Sequence, residues 1–398
     1  MRGSASGIAF ALAAAIALLA PAAWADSTVT SLDLEETATW RSPSGAPETF
    51  EWTLDGRLLL VMGAGDDRTI HVLDRSLAPL GTASAPFDVR GASWSMKARW
   101  LLAWGPDGER DNITAWDVPS LAPNATVVPR GLLTVATIDA ARFYAKDEIL
   151  VICGRDGERA SRINVIEIRT KSVLRDLEDP SNRTVLFLAN DDREVVCIYE
   201  GGVAVPFSTQ NWSAWGAPRT MTGEVTAHCI VPEWPWLLGD SNGTVRAFRD
   251  IDGSVYASFR PGGGPVLGIA YGSPWMSYVL VALPGDAGGG RIKAYTRYII
   301  DAEPTDTPIL VTEVNTSSTI TSMAQIPMAR NNVTVGYADG RLVNYWANAT
   351  LAQWDDPQGP DDGPRRGEWL RTYGGLATLV AVAVALAVAY AWLRRREG

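Results

Sequence analysis

Two kinds of hydrophobic segment alternate along most of the chain. A short, continuously apolar run is followed by a Gly- or Asp-rich turn and then by a run in which apolar and polar residues alternate. The alternating runs fall at residues 69–74, 112–117, 162–167, 202–207, 243–248, 291–296 and 341–346, and the apolar runs before them at 58–62, 100–104, 149–153, 194–198, 236–238, 278–282 and 332–337. Period-two alternation is the signature of a strand with one face covered, and a run apolar on both faces predicts a strand buried between layers. Seven such hairpins start 40 to 50 residues apart, the repeat length of four-stranded propeller blades. The apolar runs are expected to be the inner strands.

A turn slot precedes several hairpins, at 52–57, 94–99, 188–193, 231–236 and 271–275. In the first it reads Trp52-Thr53-Leu54-Asp55-Gly56-Arg57, and the alternating runs end in Leu73-Asp74 and Trp116-Asp117. In these residues the chain resembles tryptophan–aspartate repeat propellers and their looser relatives, the quinoprotein-like propellers, over roughly residues 28–355. The resemblance implies an all-β, seven-bladed β-propeller. No Gly-His pair opens a blade and no periodic Trp-docking motif is visible, so the resemblance implies a fold and no cofactor. Residues 28–34 are a candidate closing strand against the 341–346 hairpin, with 348–354 competing for that place; open sheet edges invite aggregation, which is why a ring needs closing. Tandem sandwiches are the alternative architecture.

The ends add an address. Residues 1–25 carry Arg2, an apolar run and an Ala23-Trp24-Ala25 triplet, which predicts a cleaved signal peptide. Residues 373–393 contain no charge and are long enough to cross a bilayer as one α-helix, with Arg394, Arg395 and Arg396 directly behind. The expected organisation is signal peptide 1–25, propeller ectodomain 26–354, acidic Pro/Gly-rich stalk 355–372, transmembrane helix 373–393 and basic cytoplasmic tail 394–398. That makes a single-pass protein of the cell membrane with its N-terminal domain extracellular.

Composition narrows the chemistry. The 398 residues include 46% hydrophobic positions, 37 Gly, 24 Pro and 16 Trp, enough for a large core cut often by turns. A net charge of −10 argues against nucleic acid as a partner, since that binding needs many phosphate-neutralising cations. His71 and His228 are the only histidines and Cys153, Cys197 and Cys229 the only cysteines, so neither a His-rich metal site nor a disulfide scaffold is expected. The cysteines sit in apolar runs and read as buried thiols. Asn-x-Ser/Thr triplets stand at Asn112, Asn124, Asn182, Asn211, Asn242, Asn315, Asn332 and Asn348. With 12 Asn and 54 Ser plus Thr, chance predicts about 1.6 of these glycosylation acceptors, which predicts exposed, modified side chains; plain turn chemistry is the other reading. Many acceptors, few cysteines, an acidic balance and a minimal tail together resemble archaeal membrane-anchored surface glycoproteins.

Catalytic candidates are few. Gly239-Asp240-Ser241-Asn242-Gly243 fits the hydrolase elbow pattern, but lies between two strands where that chemistry needs a strand-to-helix turn. The pairs at Asp66-Asp67, Asp107–Asp111 and Asp156–Glu158 read as hairpin turns before they read as cation ligands. Gly262–Gly264 and Gly288–Gly290 lack the Gly-Lys-Ser/Thr of a phosphate loop. Trp94, Trp234, Trp236 and Trp275 fall in turn slots and suggest an aromatic binding platform, or else packing between blades. The expected function is a non-catalytic protein- or glycan-binding or assembly module at the cell surface, with no cofactor, no metal and no nucleic acid. The alternative is a hydrolase or lyase of surface polysaccharide with Asp66, Asp67, Asp107 or Asp156 at the central channel.

Overall fold

The computed structural model describes residues 29–351 except 44, 64–67, 128–133, 157–160, 180–182, 192–193, 215–217, 230–235, 249–253, 273–277, 297–307, 309 and 327–331. The chain divides into two units, Met1–Gln353 and Trp354–Gly398. The second unit lies outside the described residues, as do the expected signal peptide, stalk, transmembrane helix and tail. Among the described residues no helix is long and apolar enough to cross a membrane.

The fold is an all-β propeller of four-stranded antiparallel sheets. A long first strand, β1 (Val29–Arg41), precedes them. The first sheet runs β2 (Thr49–Trp52), β3 (Leu58–Met62), β4 (Thr69–Asp74) and β5 (Pro79–Ser84). The second runs β6 (Gly91–Trp94), β7 (Trp100–Asp107), β8 (Arg110–Asp117) and β9 (Ala122–Pro123). The third is β10 (Thr137–Tyr144), β11 (Ile149–Arg155), β12 (Ser161–Glu167) and β13 (Ser172–Asp179). The fourth is β14 (Val185–Asp191), β15 (Glu194–Tyr199), β16 (Val203–Ser208) and β17 (Arg219–Thr220), and the fifth β18 (Val225–Cys229), β19 (Trp236–Asp240), β20 (Val245–Phe248) and β21 (Val255–Phe259). Each is a meander in sequence order, and every strand expected from the two hydrophobic patterns is present.

The last seven strands depart from expectation. They are β22 (Gly268–Gly272), β23 (Tyr278–Pro284), β24 (Gly290–Thr296), β25 (Leu310–Thr316), β26 (Ile320–Gln325), β27 (Asn332–Tyr337) and β28 (Arg341–Leu351), and with β1 they form one eight-stranded sheet. Separate blades therefore number five, not seven. The join is a parallel pair between Gly268 and Met323. A Cβ on Gly268 would sit 2.4 Å from the Met323 Cβ, so only the missing side chain lets β22 and β26 approach closely enough to pair.

A second correction concerns strand order. The apolar runs are the second strands, not the innermost. The first strands β2, β6, β10 and β14 pack in succession, β18 packs on β22, and β26 packs back on β2, so the first strand of each unit lies nearest the common axis. The second strands are sandwiched within the layers, which is why β3, β11 and β23 are buried on both faces. Seven apolar clusters fill the spaces between successive units. One contains the thiols of Cys153 and Cys197, 3.9 Å apart and fully buried.

Closure follows expectation. β1 pairs antiparallel with β28 from Val29↔Leu351 to Arg41↔Arg341, and residues 348–351 extend β28 as its partner instead of competing with it. The outward-facing Asp33, Glu35 and Glu36 of β1 put charge on the remaining edge, a common guard against edge-to-edge pairing.

Candidate functional site at the ring axis

The turns joining first to second strands form one rim near the axis, and their chemistry is local. Thr53 Oγ1 accepts the backbone N–H of Arg57 and Leu58 at 3.2 and 3.1 Å, and Ser95 Oγ accepts those of Arg99 and Trp100 at 2.9 and 3.0 Å. Three residues after each hydroxyl the backbone turns left-handed, with Gly56 at φ 64° and Ala98 at φ 51°. This bend satisfies the donors that the turn strips from the ladder and carries Leu54 and Met96 onto the rim, Leu54 being 43% exposed.

Behind these turns lies a shallow recess lined by Glu51, Trp52, Leu54, Trp94, Ser95, Met96 and Arg142. Its polar element is an ion pair 91 residues apart in sequence: Arg142 Nη2, from β10, donates to Glu51 Oε1, from β2, at 2.6 Å. Arg142 also donates through Nη1 to the Leu188 carbonyl of β14 at 3.2 Å, so one guanidinium ties the first, third and fourth sheets. Burial raises the Glu51 pKa, against the Arg142 charge and hydrogen bond that lower it. Both side chains are 22% exposed. Such a pair positions its elements more than it stabilises them, because desolvation offsets much of the attraction.

Beside it, Phe187 of β14 and His228 of β18 pack with centroids 5.2 Å apart and planes tilted by 44°. Burial, then the Arg142 charge, lowers the His228 pKa from 6.5 to about 4. Between those values the unfolded chain binds the proton that the folded ring refuses, so stability falls as pH drops through this window, by up to about 3 kcal/mol. Denaturant titrations at pH 7, 6 and 5 are expected to show about 2 kcal/mol of this loss in the wild type and a clearly smaller one in His228→Gln. Equal slopes in the two proteins contradict it.

Of the four candidate platform residues, Trp94 and Trp236 follow the packing alternative. Trp94 and Trp236 are 3% and 0% exposed. The Trp94 indole N–H donates to the Glu51 carbonyl at 2.9 Å, and Trp236 lies in β19 under the Arg219 guanidinium, 3.5 Å from the ring centroid. Both belong to the core, where an amphipathic ring packs between layers. Trp234 and Trp275 lie outside the described residues.

The acceptor asparagines divide. Asn211, Asn242 and Asn315 are exposed and Asn124 and Asn332 half-buried. Asn112 is 5% exposed, a correction to its expected surface position: β8 is covered on both faces here, Ile113 being buried as well, and Asn112 Nδ2 donates to Asp107 Oδ2 at 2.9 Å. Asn182 and the Asn348 side chain lie outside the described residues.

Of the acidic segments, Asp107–Asp111 forms the β7–β8 hairpin turn. Asp107 ends β7 opposite Arg110, and Asp156 follows the end of β11, so both sit at second-strand tips; Asp66, Asp67 and Glu158 lie outside the described residues. Glu51 is the carboxylate of the recess lining. Asp240 of the elbow-like motif is fully buried, and its oxygens accept from Thr222 Oγ1 (2.6 Å) and from the N–H groups of Gly223 (3.0 Å), Asn242 (3.0 Å) and Thr244 (2.8 Å). Burial pushes its pKa up, but these hydrogen bonds prevail and hold it below the usual value. Asp117 likewise accepts the Trp100 indole N–H (3.1 Å) and Asn124 Nδ2 (2.9 Å). Both carboxylates hold turns together. Among the described residues no group of three or more His, Cys, Asp or Glu is placed to hold a metal ion.

Glu51 and Arg142 were not singled out by the sequence. Their signal was position: Glu51 directly precedes the Trp52 turn slot, and Arg142 precedes Tyr144 at the corresponding end of β10. No protein-family model matches the chain, and no curated protein matches it at a significant level.

Proposed function

We propose that this chain is an exported, membrane-tethered propeller that binds a protein partner through the rim of its first-to-second-strand turns. In this reading the eight-stranded sheet acts as two blades sharing one bridge, giving seven modules around the axis, and the apolar segment 373–393 holds the ring at the cell surface. The observation that carries the binding reading is the rim itself. Leu54 is 43% exposed beside Met96, over a recess floored by the Glu51–Arg142 pair. Apolar side chains ringed by partly desolvated charge suit a protein hot spot. Sugar recognition wants an open aromatic face, whereas Trp52 and Trp94 are 5% and 3% exposed and their indole N–H groups are spent on Thr334 and Glu51.

A photo-reactive amino acid at position 54 or 96, in protein in its native membrane, is expected to cross-link one defined partner. The same group at Leu80, 55% exposed on β5, should not. Leu54→Asp should weaken that association at least about tenfold. Equal labelling from all three positions, or none from 54 and 96, overturns the reading.

A further inference from the structure

We propose that N-glycosylation of this protein is selective, with Asn211 and Asn315 carrying glycans and Asn112 remaining bare. The inference rests on the exported reading above, and what decides between the sites is the state of each amide nitrogen. In the transfer, Asn Nδ2 attacks the anomeric carbon of a lipid-phosphate-linked oligosaccharide. The carbon–oxygen bond to phosphate breaks, the lipid phosphate leaves with the bonding electrons, and the nitrogen gives up one proton. The nitrogen must therefore be accessible, and in the product it has one hydrogen left and a bulky substituent.

Asn211 meets this condition. It is exposed, and its Oδ1 accepts the N–H and the hydroxyl of Ser213 at 3.1 and 2.8 Å, while Nδ2 has no partner among the described residues. Asn315 stands exposed on the outer strand β25 with its nitrogen equally unengaged. Asn124 makes the same turn, with Oδ1 accepting from Thr126 at 3.1 and 2.6 Å, but its Nδ2 is tied to Asp117. Asn242 Nδ2 is tied to the Thr222 carbonyl at 3.1 Å. Asn112 is the extreme case: its nitrogen is bonded to Asp107, its Oδ1 accepts the Ile113 N–H at 2.9 Å, and the side chain is 5% exposed. A chain carrying a glycan there cannot bury Asn112 in this way.

The test is glycopeptide and intact-mass spectrometry on protein purified from its native membranes. Glycans are expected on the peptides holding Asn211 and Asn315, and a bare peptide at Asn112. Asn211→Gln should lose one glycan mass. Thr114→Ala, which destroys the Asn112 acceptor triplet but leaves the amide in place, should change the intact mass only by the substitution itself, with no glycan lost. Asn112→Ala should lower the melting temperature without loss of a glycan. A glycan at Asn112 in folded protein, or bare Asn211 and Asn315 beside glycans elsewhere, overturns the inference. A chain cleaved before Asp26 but bare at all eight sites overturns the inference while leaving the exported reading intact; an uncleaved chain overturns that reading itself.

Discussion

Protein lacking residues 29–41 is expected to lose its ring, melting at least 10 °C lower and aggregating where the intact chain stays monodisperse. β1 is the outermost strand of the last four-stranded unit, and removing it exposes the whole unpaired edge of β28. It also takes Trp40 out of the cluster shared with the first sheet, where the indole packs on His71 at 5.4 Å. Truncating a buried Trp alone costs about 3–5 kcal/mol, and each kcal/mol lowers the melting temperature of a large domain by roughly 2–4 °C. Thermal unfolding followed by light scattering measures both effects. A synthetic peptide of residues 29–41 added in excess should restore part of the lost stability. A truncated chain that melts and elutes like the full one would show that the ring does not depend on this closure.

Gly268→Ala should cost on the order of 3 kcal/mol, at the upper end of what overpacking a tight site exacts. The added Cβ would lie 2.4 Å from the Met323 Cβ and 2.8 Å from both its backbone N and O. Backbone cannot rotate aside as a flexible side chain can, so β22 and β26 must separate and the eight-stranded sheet becomes two. Gly263→Ala is the control, since a Cβ there meets nothing within 4 Å. Denaturant unfolding of the two variants reads the difference directly. If both lose the same stability, or neither does, the close approach at Gly268 is not what holds the two halves of that sheet together.

Much of the architecture was legible because strands and tight turns are encoded locally. Residues 58–62 and 69–74 coincide with β3 and β4, and the other runs overlap their strands closely. The slot at 52–57 recurs at 94–99 because one hydroxyl can satisfy two N–H groups wherever the chain bends this way. The axial site was less legible. Glu51 and Arg142 look like ordinary strand-end charges, and no spacing rule joins residues 91 positions apart. Trp94 and Trp236 left two readings open for a related reason: a Trp next to a turn reads the same whether the next layer covers it or leaves it in water.

The amino-acid sequence by itself determined the paired runs of each hairpin, the turn chemistry, the burial of the three cysteines and the supply of a closing strand, because alternation and turn residues act over a few positions. Tertiary structure alone decided which strand of each unit lies at the axis, the fusion of β22 to β26 through Gly268, the pairing of Glu51 with Arg142 and the burial of Asn112. Periodicity specifies which face of a strand avoids water. Which neighbour covers that face, and how closely it approaches, depends on residues far away in the chain.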